Sequence, residues 1–94
     1  MASSDRFDEL RADIRSEIIR RVLERGAGKT ICPSEVARAL SPVEAEWRSM
    51  MPAVREEAAK LQIEGEIEVT QKGLAVSVPE AKGPIRLGLP KAMI

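Results

Sequence analysis

The order of elements along residues 30–73 predicts an α+β domain, a winged helix-turn-helix of three helices plus a small antiparallel β-hairpin or sheet. Three observations carry that expectation. A short apolar-periodic run opens with Pro33, a longer one stops at Gly65, and two short β-branched runs flank Gln71-Lys72-Gly73.

The first helix is predicted over residues 5–25. Phe7, Leu10, Ile14, Ile18 and Val22 recur at spacings of three and four, and Ile19 and Leu23 widen the stripe. The opposite face alternates charge through Asp8, Arg11, Arg15, Glu17, Arg21 and Glu24. Ser4 or Asp5 can cap its start, and Gly26 can supply a left-handed stop. Gly26-Ala27-Gly28 then reads as a turn, and Lys29-Thr30-Ile31 as a short extended piece.

Pro33 suits the first turn of a helix over 33–40, where its missing N–H leaves nothing unpaired, and Glu35 complements the helix dipole there. Ile31, Val36 and Leu40 are its expected core contacts. Ser41-Pro42 breaks the chain and starts a third helix, 43–64, whose stripe runs through Val43, Trp47, Met50, Met51, Val54, Ala58 and Leu61. Pro52 interrupts the stripe. Losing a hydrogen bond and clashing with the preceding turn costs about 3 kcal/mol, which predicts a kink near Met51 or a split into 43–50 and 52–64.

Strands are expected at Glu66–Val69 and Ala75–Val78, with Gln71-Lys72-Gly73 at the hairpin tip and Pro79 closing the second strand. The winged-helix domain then spans 5–79. Residues 80–94 form a C-terminal arm in which Ile85, Leu87 and Leu89 alternate with Arg86 and Gly88, packed on the domain as a further strand before a loose end.

Composition bounds the function. Ninety-four residues make one domain with one modest core. Phe7 and Trp47 are the only aromatic residues, so that core is aliphatic. Fifteen basic residues balance fifteen acidic ones, against the basic excess usual in nucleic-acid modules. The single cysteine, Cys32, permits neither an internal disulfide nor a cysteine-based zinc cluster. No run approaches the roughly 20 apolar residues of a membrane span, and no signal-peptide core is recognisable. A cytoplasmic chain is expected.

Candidate chemistry is sparse. Gly28-Lys29-Thr30 resembles the end of a P-loop, but Leu23 stands where that motif needs glycine and a helix precedes it, so a plain turn is expected. Cys32 at a helix start reads as a small, partly buried residue. There is no histidine, which removes the Ser-His and Cys-His nucleophile arrangements and a common metal ligand. No enzyme activity, cofactor or metal is expected. Trp47, Met50 and Met51 fit a core stripe better than an exposed platform. Arg48 and Arg55, seven apart on one helix face, can grip phosphates or pair with Glu44, Glu56 or Glu57. Residues 44–64 set Arg48, Arg55 and Lys60 against Glu44, Glu46, Glu56, Glu57 and Glu64, a net charge of −2. The wing and tail set Lys72, Lys82, Arg86 and Lys91 against Glu66, Glu68 and Glu80, a net charge of +1.

The strings T-I-C-P-S-E-V-A-R-A-L (30–40), W-R-S-M-M (47–51), V-R (54–55), G-E-I-E-V-T-Q-K-G (65–73) and G-P-I-R-L (83–87) together resemble a bacterial family of small winged-helix proteins catalogued as a domain of unknown function. The similarity spans roughly residues 8–87. It implies the winged-helix fold and a bacterial, cytoplasmic setting, and it brings no catalytic residue or cofactor. It also groups Arg48, Arg55, Gln71 and Arg86 as polar positions inside matched strings that do not look like core.

Two functions follow. In the first, residues 52–64 act as the recognition helix of a regulatory module on duplex DNA. Arg48, Arg55, Lys60 and Lys72 then contact phosphate, and Gln71 reaches a base edge. In the alternative, the acidic helix face or the Trp47 region docks a protein partner or a second copy.

Overall fold

The computed structural model describes residues 2–90, and side chains from residue 8 onward. Three helices pack on one face of a four-stranded antiparallel sheet. The helices are α1 (Ala2–Arg25), α2 (Pro33–Leu40) and α3 (Glu44–Ile63). The strands are β1 (Thr30–Ile31), β2 (Glu68–Gln71), β3 (Leu74–Ala75) and β4 (Arg86–Gly88), in the spatial order β1-β4-β2-β3. The result is an α+β layout compatible with a winged helix.

The core is aliphatic, as composition required. Ile14, Ile18 and Val22 of α1 meet Val36 and Ala37 of α2 and Val54, Ala58 and Leu61 of α3. The sheet answers with the cross-strand row Ile31, Leu87 and Val69, whose register places all three on the helix-facing side. Ile67, Val78 and Ile85 close the ends. Leu23, expected to widen the α1 stripe, is instead 58% exposed.

Several boundaries differ from expectation for identifiable reasons. Helix α1 begins at Ala2, so Ser4 and Asp5 lie within it rather than capping it. The side chain of Phe7 falls outside the described set. Helix α3 begins at Glu44 with Val43 as its N-cap, not at Ser41 or Pro42. The Ser41 hydroxyl is engaged locally: it accepts from the Val43 N–H at 3.3 Å and donates to Glu46 at 2.7 Å.

Pro52 does not split α3, which runs unbroken to Ile63. The proline faces solvent, while Met51 and Val54 beside it pack on the core, and that packing carries the helix across the missing bond. Gly65 ends the helix as expected, at φ +78°. Its N–H donates to Gln62 O at 3.1 Å and the Glu66 N–H to Leu61 O at 2.9 Å, the paired bonds of a Schellman stop.

The hairpin is shifted relative to the sequence pattern. Lys72 (φ +53°) and Gly73 (φ +81°) form a two-residue turn of type I′, which fixes Gln71 opposite Leu74 and Thr70 opposite Ala75. Gln71 therefore ends β2 instead of sitting in the tip, and Glu66 and Ile67 precede the strand. Strand β3 stops at Ala75. The Val76 N–H still reaches Val69 O at 3.0 Å, and the chain then turns away as Gln62 of α3 takes the groups that follow: its Nε2 donates to Val76 O at 2.5 Å, and its Oε1 accepts from the Val78 N–H at 3.1 Å. Pro79 lies in the turn that follows.

The arm then re-enters the molecule. Ile85 and Leu87 are 1% and 0% exposed, and Arg86–Gly88 forms an inner strand paired with both β1 and β2. Residues 91–94, including the Lys91 of the tail charge count, lie outside the described residues.

Candidate nucleic-acid interface

The six polar positions singled out from sequence fall into three groups. Arg48 and Lys60 make ion pairs along α3: Arg48 Nε with exposed Glu44 at 2.7 Å, and Lys60 Nζ with buried Glu57 at 3.1 Å. An exposed pair such as Arg48–Glu44 is worth about 0–1 kcal/mol and leaves the cation free to change partner.

Arg55 and Gln71 converge, but on the protein's own backbone. Arg55 reaches from α3 to Ala81 O (3.0 Å) and Gly83 O (3.2 Å). Gln71 reaches from β2 to Lys82 O and to Pro84 O (3.1 Å). Between them the two side chains hold four successive carbonyls of the 81–84 loop. Expected contacts with Glu56 or Glu57 do not form, because Arg11 of α1 occupies both carboxylates, at 2.6 and 2.9 Å.

Lys72 and Arg86 belong to the third group. Lys72 is exposed at the hairpin tip, and Arg86 projects from β4, where it donates to the Thr30 hydroxyl at 2.9 Å and to Thr30 O at 3.1 Å. Beside the hairpin lies an open depression of about 680 Å³ lined by Gln71, Lys72, Leu74, Val76, Lys82, Pro84 and Arg86. Three cations line it and no carboxylate does. Among the described residues, neither Lys72 nor Lys82 has an ion-pair partner. Lys82 was legible only as part of a charge count; the clamp of Arg55 and Gln71 on its loop is what brings it to the hairpin.

A second depression, about 230 Å³, opens against the sheet and is lined by Gly28, Lys29, Thr30, Glu68, Thr70, Gly73, Gly88 and Leu89. Gly28-Lys29-Thr30 is thus the turn from α1 into β1, with no helix following the lysine in the manner of a P-loop. Cys32 is the half-buried N-cap of α2. Its N–H donates to Glu35 at 2.7 Å and its sulfur lies 3.1 Å from the Ser34 hydroxyl, an arrangement that offers no general base. Among the described residues, no group of three or more His, Cys, Asp or Glu side chains could hold a metal ion. No described helix is long and apolar enough to cross a membrane.

Sequence reasoning missed the charged seam between α1 and α3. Glu57, 4% exposed, accepts from Arg11 at 2.9 Å, and Arg15 donates to both carboxylate oxygens of Glu64. The hydrogen bond to Glu64 is the main reason the Arg15 guanidinium holds its proton more tightly than usual and the Glu64 carboxyl holds its own less tightly. The signal was present as alternating charge on α1, but nothing local says which helix answers it. Trp47, expected in the core, is half-buried against it, with Arg38 of α2 and Arg48 both over its ring.

With this geometry in place, the chain belongs to the family described as "Protein of unknown function (DUF3253)", whose model matches residues 11–90. No curated protein matches it.

Proposed function

We propose that this chain is a nucleic-acid-binding module of winged-helix type, in which the hairpin is the wing and makes the principal contact with the phosphate backbone. The observation that carries the reading is the depression beside the hairpin, where Lys72, Lys82 and Arg86 gather with no carboxylate in the lining. Phosphate neutralisation by such a group supplies sequence-independent affinity, and it needs a local excess of positive charge rather than a basic total.

Backbone geometry adds support. A lysine at φ +53° occupies a turn position that asparagine or glycine takes at lower cost. Strain of this kind concentrates where a particular side chain is needed for function. Helix α3 plays the smaller part in this reading: its cations are paired or clamped, and Arg55 and Gln71 act as positioning residues that hold Lys82 in place. A base-edge role for Gln71 is set aside, since its amide already spans two carbonyls.

The test is fluorescence anisotropy of a labelled duplex at two salt concentrations, with protein raised to about 100 μM, the weak end of non-specific binding. Binding that weakens with salt, and that Lys72→Glu and Lys82→Glu each abolish or greatly reduce, supports the wing reading. No binding even at low salt overturns it.

One feature favours a second reading. Leu74, 71% exposed on the edge strand β3, lines the same depression and suits a protein partner or a second copy. Sedimentation of the wild type against Leu74→Lys separates self-association from DNA binding.

A further inference from the structure

The turn between α2 and α3 carries an arrangement that the wing does not use. The Arg38 guanidinium carbon lies over the Trp47 ring, 4.6 Å from its centroid, and that of Arg48 lies over the same ring at 4.9 Å. Arg38 is exposed, and among the described residues no carboxylate pairs with it. Arg48 meets Glu44 through Nε, in a pair whose members are 65% and 68% exposed. Glu46, the other nearby acid, is occupied by the Ser41 hydroxyl.

A simpler account covers part of this. Arg38 stands in the last turn of α2, where the helix dipole favours a cation, and both stems shield the indole. That explains one cation at this place. It leaves the second guanidinium over: Arg48 meets both the ring and the exposed Glu44, so its charge is only partly committed to that carboxylate. Contact with the ring restrains each group, and the Arg38 guanidinium, with no carboxylate pairing with it among the described residues, keeps its fork of N–H donors available to the paired oxygens of a phosphate.

We infer that Arg38 and Arg48, stacked on Trp47, form a second phosphate-contact site for a nucleic-acid backbone, separate from the wing. This inference rests on the nucleic-acid reading above. Arg48 stands seven residues before Arg55 on α3, about 10 Å along the helix axis at 1.5 Å per residue. Arg55 in turn holds the loop carrying Lys82. Helix α3 thus carries Arg48 and, two turns on, the side chain that anchors the Lys82 loop, and the proposed duplex would run over both. The exposed Glu44 pair exchanges for phosphate at little cost.

Trp47 is the only tryptophan and the chain has no tyrosine, so intrinsic emission reports on this site alone. The experiment follows Trp47 emission and label anisotropy together while an end-labelled duplex of about 20 base pairs is titrated at two salt concentrations. The expected result is a saturating emission change that tracks anisotropy. In Arg38→Ala the emission change is lost, binding weakens several-fold, and the salt slope falls by about one. Arg38→Lys retains the slope, because the charge remains, but binds more weakly because the planar fork is gone. Binding with flat Trp47 emission and an unchanged slope in Arg38→Ala would overturn this site and leave the wing reading intact. Absence of binding in the wild type overturns both.

Discussion

Replacing Gln62 with alanine tests whether one side chain sets the path of everything after β3. Gln62 accepts from the Val78 N–H at 3.1 Å and donates to Val76 O at 2.5 Å. Val78 itself is 5% exposed, so water is poorly placed to replace the lost acceptor. Each intramolecular hydrogen bond contributes about 1 kcal/mol net, and a buried backbone group left unpaired costs about 1–3 kcal/mol. Losing both bonds is therefore expected to cost about 2–3 kcal/mol, a substantial part of the roughly 5–14 kcal/mol typical for a chain of this length. The assay is urea denaturation followed by Trp47 emission. With a slope of about 1.5 kcal/mol per molar urea, the midpoint should fall by about 1.3–2 M. Gln62→Glu keeps the acceptor and should recover about half of that loss. A midpoint within about 0.3 M of wild type in Gln62→Ala would refute the reasoning, because a loss that small leaves no room for an orphaned backbone N–H.

Other perturbations follow from the same geometry. In Gly88→Ala the added Cβ would lie 2.9 Å from Lys29 O and 3.3 Å from the Thr30 methyl, between two strands that cannot part without breaking register. A loss of about 1–3 kcal/mol is expected, read as a melting temperature lower by roughly 4–8 °C for each kcal/mol; an unchanged melting temperature would show that β1 shifts freely. Glu57→Ala removes the buried carboxylate from Arg11, which keeps Glu56 at 2.6 Å, so the expected loss is about 1–3 kcal/mol, below that of an isolated buried pair. A double-mutant cycle with Arg11→Ala should return a coupling of about 0.5–3 kcal/mol, and strict additivity would count against the seam. The carboxyls of Glu17, held by Arg20 and Arg21, and of Glu64, held by Arg15, release their protons more readily than free glutamate. Their contribution is thus complete above the ordinary glutamate range and lost as pH falls through the lowered folded values. Melting temperature should hold steady down to about pH 5 and fall below about pH 4.5, with a shallower fall in Arg15→Ala; a flat profile to about pH 3 would contradict this.

The helices were legible because their signals are local. Pro33 and Leu40 bound α2 as read, and Gly65 stops α3 through its own positive φ. The sheet was less legible because its boundaries are set at long range. Nothing near Val76 announces that Gln62, fourteen residues earlier, will take its carbonyl and end β3. The inner position of β4 depends on Leu87 finding Ile31 and Val69 at once, a condition that alternating apolar residues suggest but cannot locate. The split that Pro52 offered beside a kink does not occur for a related reason: its penalty is local, whereas the packing that outweighs it comes from the rest of the core. In the candidate site, residue type was readable and partnership was not. Arg55 and Gln71 stood out as polar positions outside the core, yet both serve the backbone of the 81–84 loop.

Partnership also bears on how a net charge of zero weighs against the proposed nucleic-acid reading. The acids of α1 and α3 are matched largely within and between those helices: Glu17 and Glu24 by Arg20, Glu44 by Arg48, Glu56 and Glu57 by Arg11, and Glu64 by Arg15. Matched charges at short range cancel beyond a Debye length of about 8–10 Å and contribute little to attraction at a distance. The depression beside the hairpin has no carboxylate in its lining, while Glu68, two residues from Thr70 opposite Arg86, stands on the same face of the sheet. On the proposed reading, a polyanion approaching the hairpin would meet the three cations of that depression rather than the sum. On the same reading, six of the fifteen acids that balance the total are paired along α1 and α3 rather than beside Lys72, Lys82 and Arg86.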